Sequence, residues 1–128
     1  MARVDTIRIG GACGFWGEAN HAAAQLLRVP GLDFLIHDYL AEITLSIMAR
    51  ARAKDPEAGW ATDFVSAVMA PNLARIADQG VRVVSNAGGL NPAACARALR
   101  RAIADQGLSL RVAAVEGDDL TARAADFA

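Results

Sequence analysis

The sequence lacks the features of a nucleic-acid-binding, membrane-spanning or disulfide-bonded protein. Its 13 Lys and Arg balance 14 Asp and Glu to a net charge of −1, and no basic arm is present, so we expect no nucleic acid as a partner. No apolar run approaches the roughly 20 residues of a membrane-spanning helix, and the first ten residues lead into a strand pattern rather than a signal peptide. Cys13 and Cys95 lie far apart and form no CxxC motif, which is typical of a reduced, cytoplasmic protein.

What the sequence does have is the composition of a globular domain. Hydrophobic residues make up 54% of its 128 residues, which is enough to bury a core. The length suits a single domain spanning residues 1–128. No internal repeat and no low-complexity linker divides the chain.

Short apolar runs alternate along the chain with segments of helical periodicity. The apolar runs predict four strands, at residues 6–9, 33–37, 81–84 and 110–115. Helices are expected at residues 18–28, 40–51, 64–80 with a break at Pro71, and 92–106. Asn91 and Pro92 are expected to cap the start of the last helix, and Gly80 the end of the one before the third strand.

This alternation of strands and helices predicts an α/β fold built on a parallel sheet. We expect a Rossmann-like, doubly wound parallel sheet of about four strands in the order 2-1-3-4. The switch point of such a sheet lies between its first and third strands, and ligands bind there, beyond the carboxyl ends of the strands. Two glycine-containing turns, one after each of those strands, would then meet at the ligand crevice.

The first glycine run is GGACGFWG, residues 10–17. Its spacing, Gly11-x-x-Gly14-x-x-Gly17, is not the G-x-G-x-x-G motif of dinucleotide-binding proteins, and no phosphate-binding G-x-x-x-x-G-K-[ST] motif occurs. Two interpretations stay equally open: a tight strand-to-helix turn, or a turn whose backbone N–H groups bind an anion. Phe15 and Trp16 either line an apolar pocket or pack on the sheet.

The second run, SNAGGLNP at residues 85–92, follows the third predicted strand and is small and polar. Ser85 and Asn86 stand at the carboxyl end of that strand, where side chains can hydrogen-bond a substrate carbonyl or hydroxyl. Gly88 and Gly89 complete the candidate ligand-binding loop. Asn91 is explained by helix capping alone.

Carboxylates follow the second and fourth predicted strands. Asp38 is a candidate to hold a ribose or to act as a general base, with helix capping as the ordinary alternative. Glu116, Asp118 and Asp119 can join it in a carboxylate rim that binds Mg²⁺ or supplies a base, with a solvated acidic turn as their alternative. Asp38 and Glu116 are therefore the catalytic candidates. No metal site is predicted, and the cofactor is left open.

Cys13 lies near the start of a predicted helix, where the pKa of a thiol can fall. A nucleophilic cysteine needs a base beside it. His37, at the end of the second predicted strand, is the candidate partner, although the sequence places neither histidine beside Cys13. A small buried residue is the more ordinary explanation of Cys13, and Cys95 is expected in the core.

Four longer segments are distinctive as whole sequences: RIGGACGFWGE, DYLAEITLSIMARARAKDPEAGWATDFV, VRVVSNAGGLNPAACARAL and AAVEGDDL. They occur in this order, and from about Val4 to Leu120 the chain resembles the N-terminal region of the acyclic terpene utilisation protein A (AtuA) family. The resemblance implies a part in the bacterial breakdown of acyclic terpenoids such as citronellol and geraniol, alongside acyl-CoA enzymes, with no established reaction. Cys13 stands where we expect a small residue such as Ser or Ala, and His37 is peculiar to this sequence, which weakens a catalytic role for either.

Members of this family are several times longer than 128 residues, so the resemblance implies an N-terminal fragment of a longer architecture. A parallel sheet whose fold continues elsewhere exposes an edge and an apolar face. We therefore expect a chain that is marginally stable alone, or one that forms a homo-oligomer or serves as a partner subunit.

The leading functional hypothesis is an enzyme or enzyme domain that acts on an isoprenoid or branched acyl-CoA or acid. In it, Asn86 binds a carbonyl, the glycine amides bind an anion, and Asp38 or Glu116 acts as the base. One alternative is a non-catalytic assembly subunit of a complex with acyl-CoA enzymes. Another is a generic nucleotide-binding, Rossmann-like domain, against which the glycine spacing counts.

Overall fold

A computed structural model describes residues 6–128 and shows an α/β chain. The first five residues lie outside the described residues. They belong to the predicted domain and to the N-terminal segment in which no signal peptide is predicted. The elements in chain order are β1 (Ile9–Cys13), α1 (Ala22–Leu26), β2 (Phe34–His37), α2 (Glu42–Lys54), a π-helix (Phe64–Met69), α3 (Leu73–Gln79), β3 (Arg82–Ser85), α4 (Pro92–Asp105) and a 3-10 helix (Thr121–Phe127).

The described part of the chain contains one three-stranded parallel sheet in the order β1-β2-β3. Parallel pairing confirms the predicted class, but the order 2-1-3-4 is wrong, because β2 lies between β1 and β3 and removes the expected crevice between those two strands. The central strand is β2, and its Leu35 is completely buried. The glycine-rich β1, which carries a register irregularity between Gly11 and Cys13, lies at an edge, where such features are tolerated.

The predicted fourth strand is also wrong, because residues 110–115 are in no strand. Leu108, Leu110 and Val112 are partly buried against the core, although residues 108–120 belong to no helix or strand. Arg100 Nη2 donates a 2.7 Å hydrogen bond to the carbonyl oxygen of Val112. The apolar side chains that predict a strand here are thus partly buried without any strand pairing.

The two faces of the sheet differ in burial. Ala12, Leu35 and His37 point to the side that the helices cover, and each is at most 5% exposed. On the other side Ile9 is 65% and Val84 is 53% exposed. This second side is called the open face below. The second helical layer of a doubly wound sheet is therefore not among residues 6–128.

The first glycine pair lies inside a strand and not in the turn after it. The strand predicted at residues 6–9 is found at Ile9–Cys13, so it contains both Gly10 and Gly11. A Cβ at Gly10 would lie 3.2 Å from the methyl carbons of Leu26. The missing side chain lets α1 pack closely on the sheet.

Several helix boundaries follow the sequence signals. Asn91 Oδ1 accepts a 3.2 Å hydrogen bond from the Ala94 amide, and Pro92 opens α4, which confirms the predicted cap. Gly80 ends α3 in the left-handed region at φ 67°, as predicted. Pro71 separates the π-helix from α3, at the predicted break.

The apolar residues of α2 are only partly buried. Thr44 and Met48 are in the core, but Ile43 is 71% and Ile47 is 49% exposed. Thr44 stabilises the N-terminus of α2, because its Oγ1 accepts a 2.6 Å hydrogen bond from the Ala41 amide. None of the helices within residues 6–128 combines the length and the apolar character needed to cross a bilayer.

Candidate functional site

The carboxyl ends of the three strands bring several of the predicted site residues together. The last residues of the strands lie side by side, Cys13 beside His37 and His37 beside Ser85. The loops that leave the strands therefore start from one edge of the sheet. A shallow groove of about 340 Å³ lies at this edge and is lined by Ile36, His37, Asp38, Val84, Ser85 and Asn86.

Asp38 and Asn86 form the polar centre of this edge. Asn86 Nδ2 donates a 2.7 Å hydrogen bond to Asp38 Oδ1, and Asn86 Oδ1 accepts a 2.7 Å hydrogen bond from the Tyr39 amide. Both side chains are exposed to solvent. Asp38 follows β2 and Asn86 follows β3. Two residues that are separate candidates in the sequence are thus in direct contact.

Asp38 does not cap α2. Its Oδ1 lies 3.4 Å from the Leu40 amide nitrogen, a long contact, and the N-cap position belongs to Ala41. Among residues 6–128, no hydrogen bond reaches Asp38 Oδ2. Since an amide nitrogen carries two N–H groups, Asn86 also keeps one donor beyond its bond to Asp38. The pair therefore offers one acceptor and one donor, side by side, to a ligand.

The other residues of the second glycine run have structural explanations. Ser85 Oγ accepts a 3.0 Å hydrogen bond from the Ala87 amide. A Cβ at Gly88 would lie 2.8 Å from Pro92 Cα. Gly89 has φ 51°, and a Cβ there would lie 2.9 Å from the Gly59 carbonyl oxygen. The two glycines permit a close turn into α4, so a ligand is not needed to explain them.

The two candidate glycines of the first run, Gly11 and Gly14, have different surroundings in the structure. Gly11 lies within β1, and no described atom comes within 4 Å of a Cβ built on it. The Gly14 amide donates a 2.6 Å hydrogen bond to Glu18 Oε2. The chain's own carboxylate thus occupies the backbone donor that an anionic ligand would use.

The acidic segment at residues 116–119 lies away from Asp38. Asp119 Oδ2 is 3.1 Å from Arg52 Nη1, in the last turn of α2. Because a helix rises about 1.5 Å per residue, Arg52 lies roughly 15 Å along the axis from Glu42, near which Asp38 lies. Hydrogen bonds from Thr121, and then from Arg52, lower the pKa of Asp119. Asp119 is therefore held by Arg52, and a carboxylate rim in which Glu116 and Asp118 join Asp38 stays a prediction.

Cys13 is placed at the site edge but is not activated. Its Sγ donates a 3.3 Å hydrogen bond to the Asp38 carbonyl oxygen. Burial is the largest cause of a raised thiol pKa, and the carboxylates of Glu18, Asp38 and Asp63 add to it. The thiol therefore keeps its proton at neutral pH, the opposite of what a nucleophile needs. No group of three or more His, Cys, Asp or Glu within residues 6–128 is placed to hold a metal ion.

The model of the acyclic terpene utilisation family, AtuA, matches residues 7–128. The chain belongs to the acyclic terpene utilisation family. No curated protein and no solved structure matches it. The family match contains the whole of the Asp38–Asn86 edge, together with every other predicted site residue.

Sequence reasoning missed what surrounds this edge in the AtuA-family chain. Trp16 Nε1 donates a 2.6 Å hydrogen bond to Asp63 Oδ1, so Trp16 packs and is anchored, whereas Phe15 is 54% exposed. His37 is only 3% exposed, and neither ring nitrogen has a hydrogen-bond partner among the described residues. The signal was available, because His37 stands two residues after the buried Leu35 and a strand turns alternate residues to the same side.

Proposed function

We propose that this AtuA-family chain binds an oxygenated acyclic terpenoid, or its acyl derivative, at the carboxyl edge of β2 and β3. The observation that carries the proposal is the hydrogen-bonded Asp38–Asn86 pair, which offers an acceptor and a donor beside a groove. A hydroxyl group can donate to Asp38 Oδ2 and accept from Asn86 Nδ2 at the same time. The side chains of Ile36 and Val84 supply apolar surface for the hydrocarbon part.

The charge of the site narrows the ligand class. A ligand carboxylate placed beside Asp38 would be repelled, and a phosphate would meet the same carboxylate. The site therefore favours an alcohol, or the uncharged carbonyl of an ester or thioester, over a free acid or a nucleotide. Asp38 Oδ2 would accept the hydrogen bond of a bound hydroxyl while Asn86 Nδ2 holds its oxygen, and Asp38 stays the candidate base of a reaction that is not established. We place this activity in the cytoplasm, on the strength of the free thiols of Cys13 and Cys95.

Thermal unfolding with ligands tests the proposal. The panel contains geraniol, citronellol, geranyl-CoA, geranic acid, NAD and ATP. Each is tried on the native chain, on Asp38→Asn and Asn86→Ala, and on a matched control, Asp105→Asn, at the exposed end of α4. A ligand present at about 100 times its Kd adds about 2.7 kcal/mol to the free energy of unfolding. We expect a shift with the alcohols or the thioester, which the first two variants reduce and the control keeps. Stabilisation by NAD or ATP alone would overturn the proposal.

A second candidate function is a non-catalytic assembly subunit, favoured by the apolar surface of the open face. Ile9 and Val84 on this face are each more than half exposed, at 65% and 53%. Parallel sheets are normally covered on both faces. In this function a second copy of the chain, or a partner subunit, covers the open face. Retention of a protein partner with no ligand-induced shift would favour it over the first.

A further inference from the structure

The groove at the carboxyl edge continues along the open face, away from its polar end at Asp38. Alternate residues of a strand point to the same side, so Phe34, Ile36 and Asp38 lie in line on this face of β2. Register places Val84 beside Ile36, and Arg82 beside Phe34. Ile36 and Val84 line the groove, whose volume of about 340 Å³ lies in the range of small-molecule sites. A ligand held at Asp38 therefore has one apolar row beside it and the Phe34–Arg82 row beyond.

An aromatic ring and a charged group end this apolar surface. Arg82 Cζ lies 5.6 Å from the centre of the Phe34 ring, the geometry of a cation–π contact. The strands β2 and β3 begin at these two residues, so their pairing ends at this row. The guanidinium is charged and lies on an exposed residue, so hydrocarbon that extends past the ring meets a hydrated group. The apolar surface between β2 and β3 thus ends at Phe34.

The length of this surface can be compared with the length of an acyclic terpenoid alcohol. A strand rises about 3.3 Å per residue, so Ile36 lies about 7 Å and Phe34 about 13 Å from Asp38 along β2. Three bonds of a fully extended chain advance about 3.3–3.6 Å, so the eight bonds from the oxygen of geraniol to its last carbon span about 9–10 Å. The four bonds of 3-methyl-2-buten-1-ol span about 5 Å. The tail of geraniol thus passes Ile36 and reaches the Phe34 side chain, whereas the shorter alcohol ends beside Ile36.

We propose that Phe34, held under Arg82, is the residue that limits the length of the hydrocarbon chain bound at this site. The hydroxyl lies at the Asp38–Asn86 pair, the first isoprene unit contacts the Ile36 row, and the second ends against the Phe34 ring. A third unit finds no apolar surface. This inference rests on the proposed function, to which it adds the direction of the ligand along the strands and a specificity-determining residue remote from the polar pair.

A series of three alcohols with the same head group tests the proposal. The probes 3-methyl-2-buten-1-ol, geraniol and farnesol carry one, two and three isoprene units, and calorimetric titration of the full chain gives their dissociation constants. We expect geraniol to bind at least about tenfold more tightly than the C5 alcohol, because its second unit buries further apolar surface. Farnesol should bind within about threefold of geraniol. Non-specific adsorption predicts a further large gain with the third unit, and that result, or equal affinity for all three, would overturn the proposal.

Substitutions at the far row test the role of the ring. Phe34→Ala should weaken geraniol at least about fivefold and leave the C5 alcohol unchanged, which also shows that the variant is folded. Phe127→Ala is its matched control, because Arg123 Cζ lies 5.7 Å from the centre of the Phe127 ring in the same kind of pair, and it should change neither affinity. Arg82→Leu extends the apolar surface, so farnesol should then bind more tightly than geraniol. Equal losses of both alcohols in Phe34→Ala, or an Arg82→Leu series identical to the native one, would overturn the proposal.

Asp38→Asn separates this inference from the proposed function. If no alcohol binds, or if Asp38→Asn leaves every affinity unchanged, the hydroxyl is not held at the polar pair and both proposals fail. If Asp38→Asn weakens all three alcohols but affinity rises with every unit and ignores Phe34→Ala, the length limit alone fails. A second copy of the chain on the open face would compete with the ligand. Affinities that fall with rising protein concentration and do not depend on chain length would therefore identify that occupant and overturn the inference.

Discussion

Asn86 Nδ2 donates to Asp38 Oδ1 at 2.7 Å, while Asn86 Oδ1 accepts from the Tyr39 amide at the same distance. One amide side chain thus links the loop after β2 to the loop after β3. This bridge fixes the orientation of the amide, because only the nitrogen can donate to a carboxylate. The arrangement explains why the chain has an amide here and not a carboxylate of the same shape.

Replacing Asn86 with Asp should destabilise the chain in a pH-dependent way. The introduced carboxylate would lie beside Asp38, and repulsion at this exposed site should lower the free energy of unfolding at pH 7 by about 1 kcal/mol. The loss should shrink near pH 4, where one carboxyl is protonated and can donate to the other. Urea unfolding at the two pH values measures the difference.

The reciprocal double variant is the control for this effect. Asp38→Asn combined with Asn86→Asp restores one donor and one acceptor with the positions exchanged. It should recover stability at pH 7 relative to Asn86→Asp alone. A double variant that is no more stable would show that the pair does not interact in solution.

Burial of His37 should make stability fall with acid in a defined window. The pKa of His37 is about 4 in the folded chain, below its ordinary value of 6.5, so the unfolded chain binds the proton more tightly. The free energy of unfolding should therefore fall as the pH drops from about 6.5 to about 4, by on the order of 3 kcal/mol, and His37 should add nothing further below that. In the His37→Phe variant, the free energy of unfolding should lose this part of its dependence on pH. Urea unfolding of both chains across the pH range measures it, and the difference between the two curves removes the contribution of the carboxylates. Parallel profiles would contradict the prediction.

Gly89 should be intolerant of any side chain. Its φ of 51° is a conformation that other residues rarely adopt, and a Cβ would lie 2.9 Å from the Gly59 carbonyl oxygen and still closer to Met48. We expect Gly89→Ala to lower the free energy of unfolding by about 2–4 kcal/mol. Gly107→Ala is the matched control, since Gly107 has φ 66° but no described atom within 4 Å of its Cβ. Strain alone should cost about 1 kcal/mol there, and equal losses at both positions would mean that crowding is unimportant.

Local signals predicted the elements whose causes are local. The apolar runs of β2 and β3, the Asn91–Pro92 start of α4 and the Gly80 end of α3 depend on a few neighbouring residues, and all four are found. Strand order depends on pairing between segments that are distant in the chain, and residue patterns do not encode it. The same limit explains the acidic segment, whose position is set by the ion pair of Asp119 with Arg52 and not by a strand end. Asp38 and Asn86 still meet, because each directly follows a strand and neighbouring parallel strands end at the same edge of the sheet.

The open face should drive self-association. Register places Ile9 beside Phe34 and Phe34 beside Arg82 on this face, and Arg82 Cζ lies 5.6 Å from the centre of the Phe34 ring. Val84, two residues further along β3, is 53% exposed. Because an exposed apolar face of a parallel sheet favours contact with another such surface, the chain should form dimers or larger assemblies as its concentration rises.

Val84→Lys should shift sedimentation velocity profiles toward monomer by placing a charge at the contact. Val115→Lys is the control, since Val115 is 91% exposed and lies in the C-terminal segment, and it should leave the profiles unchanged. A native chain that stays monomeric across the whole concentration series would remove the basis for the assembly function.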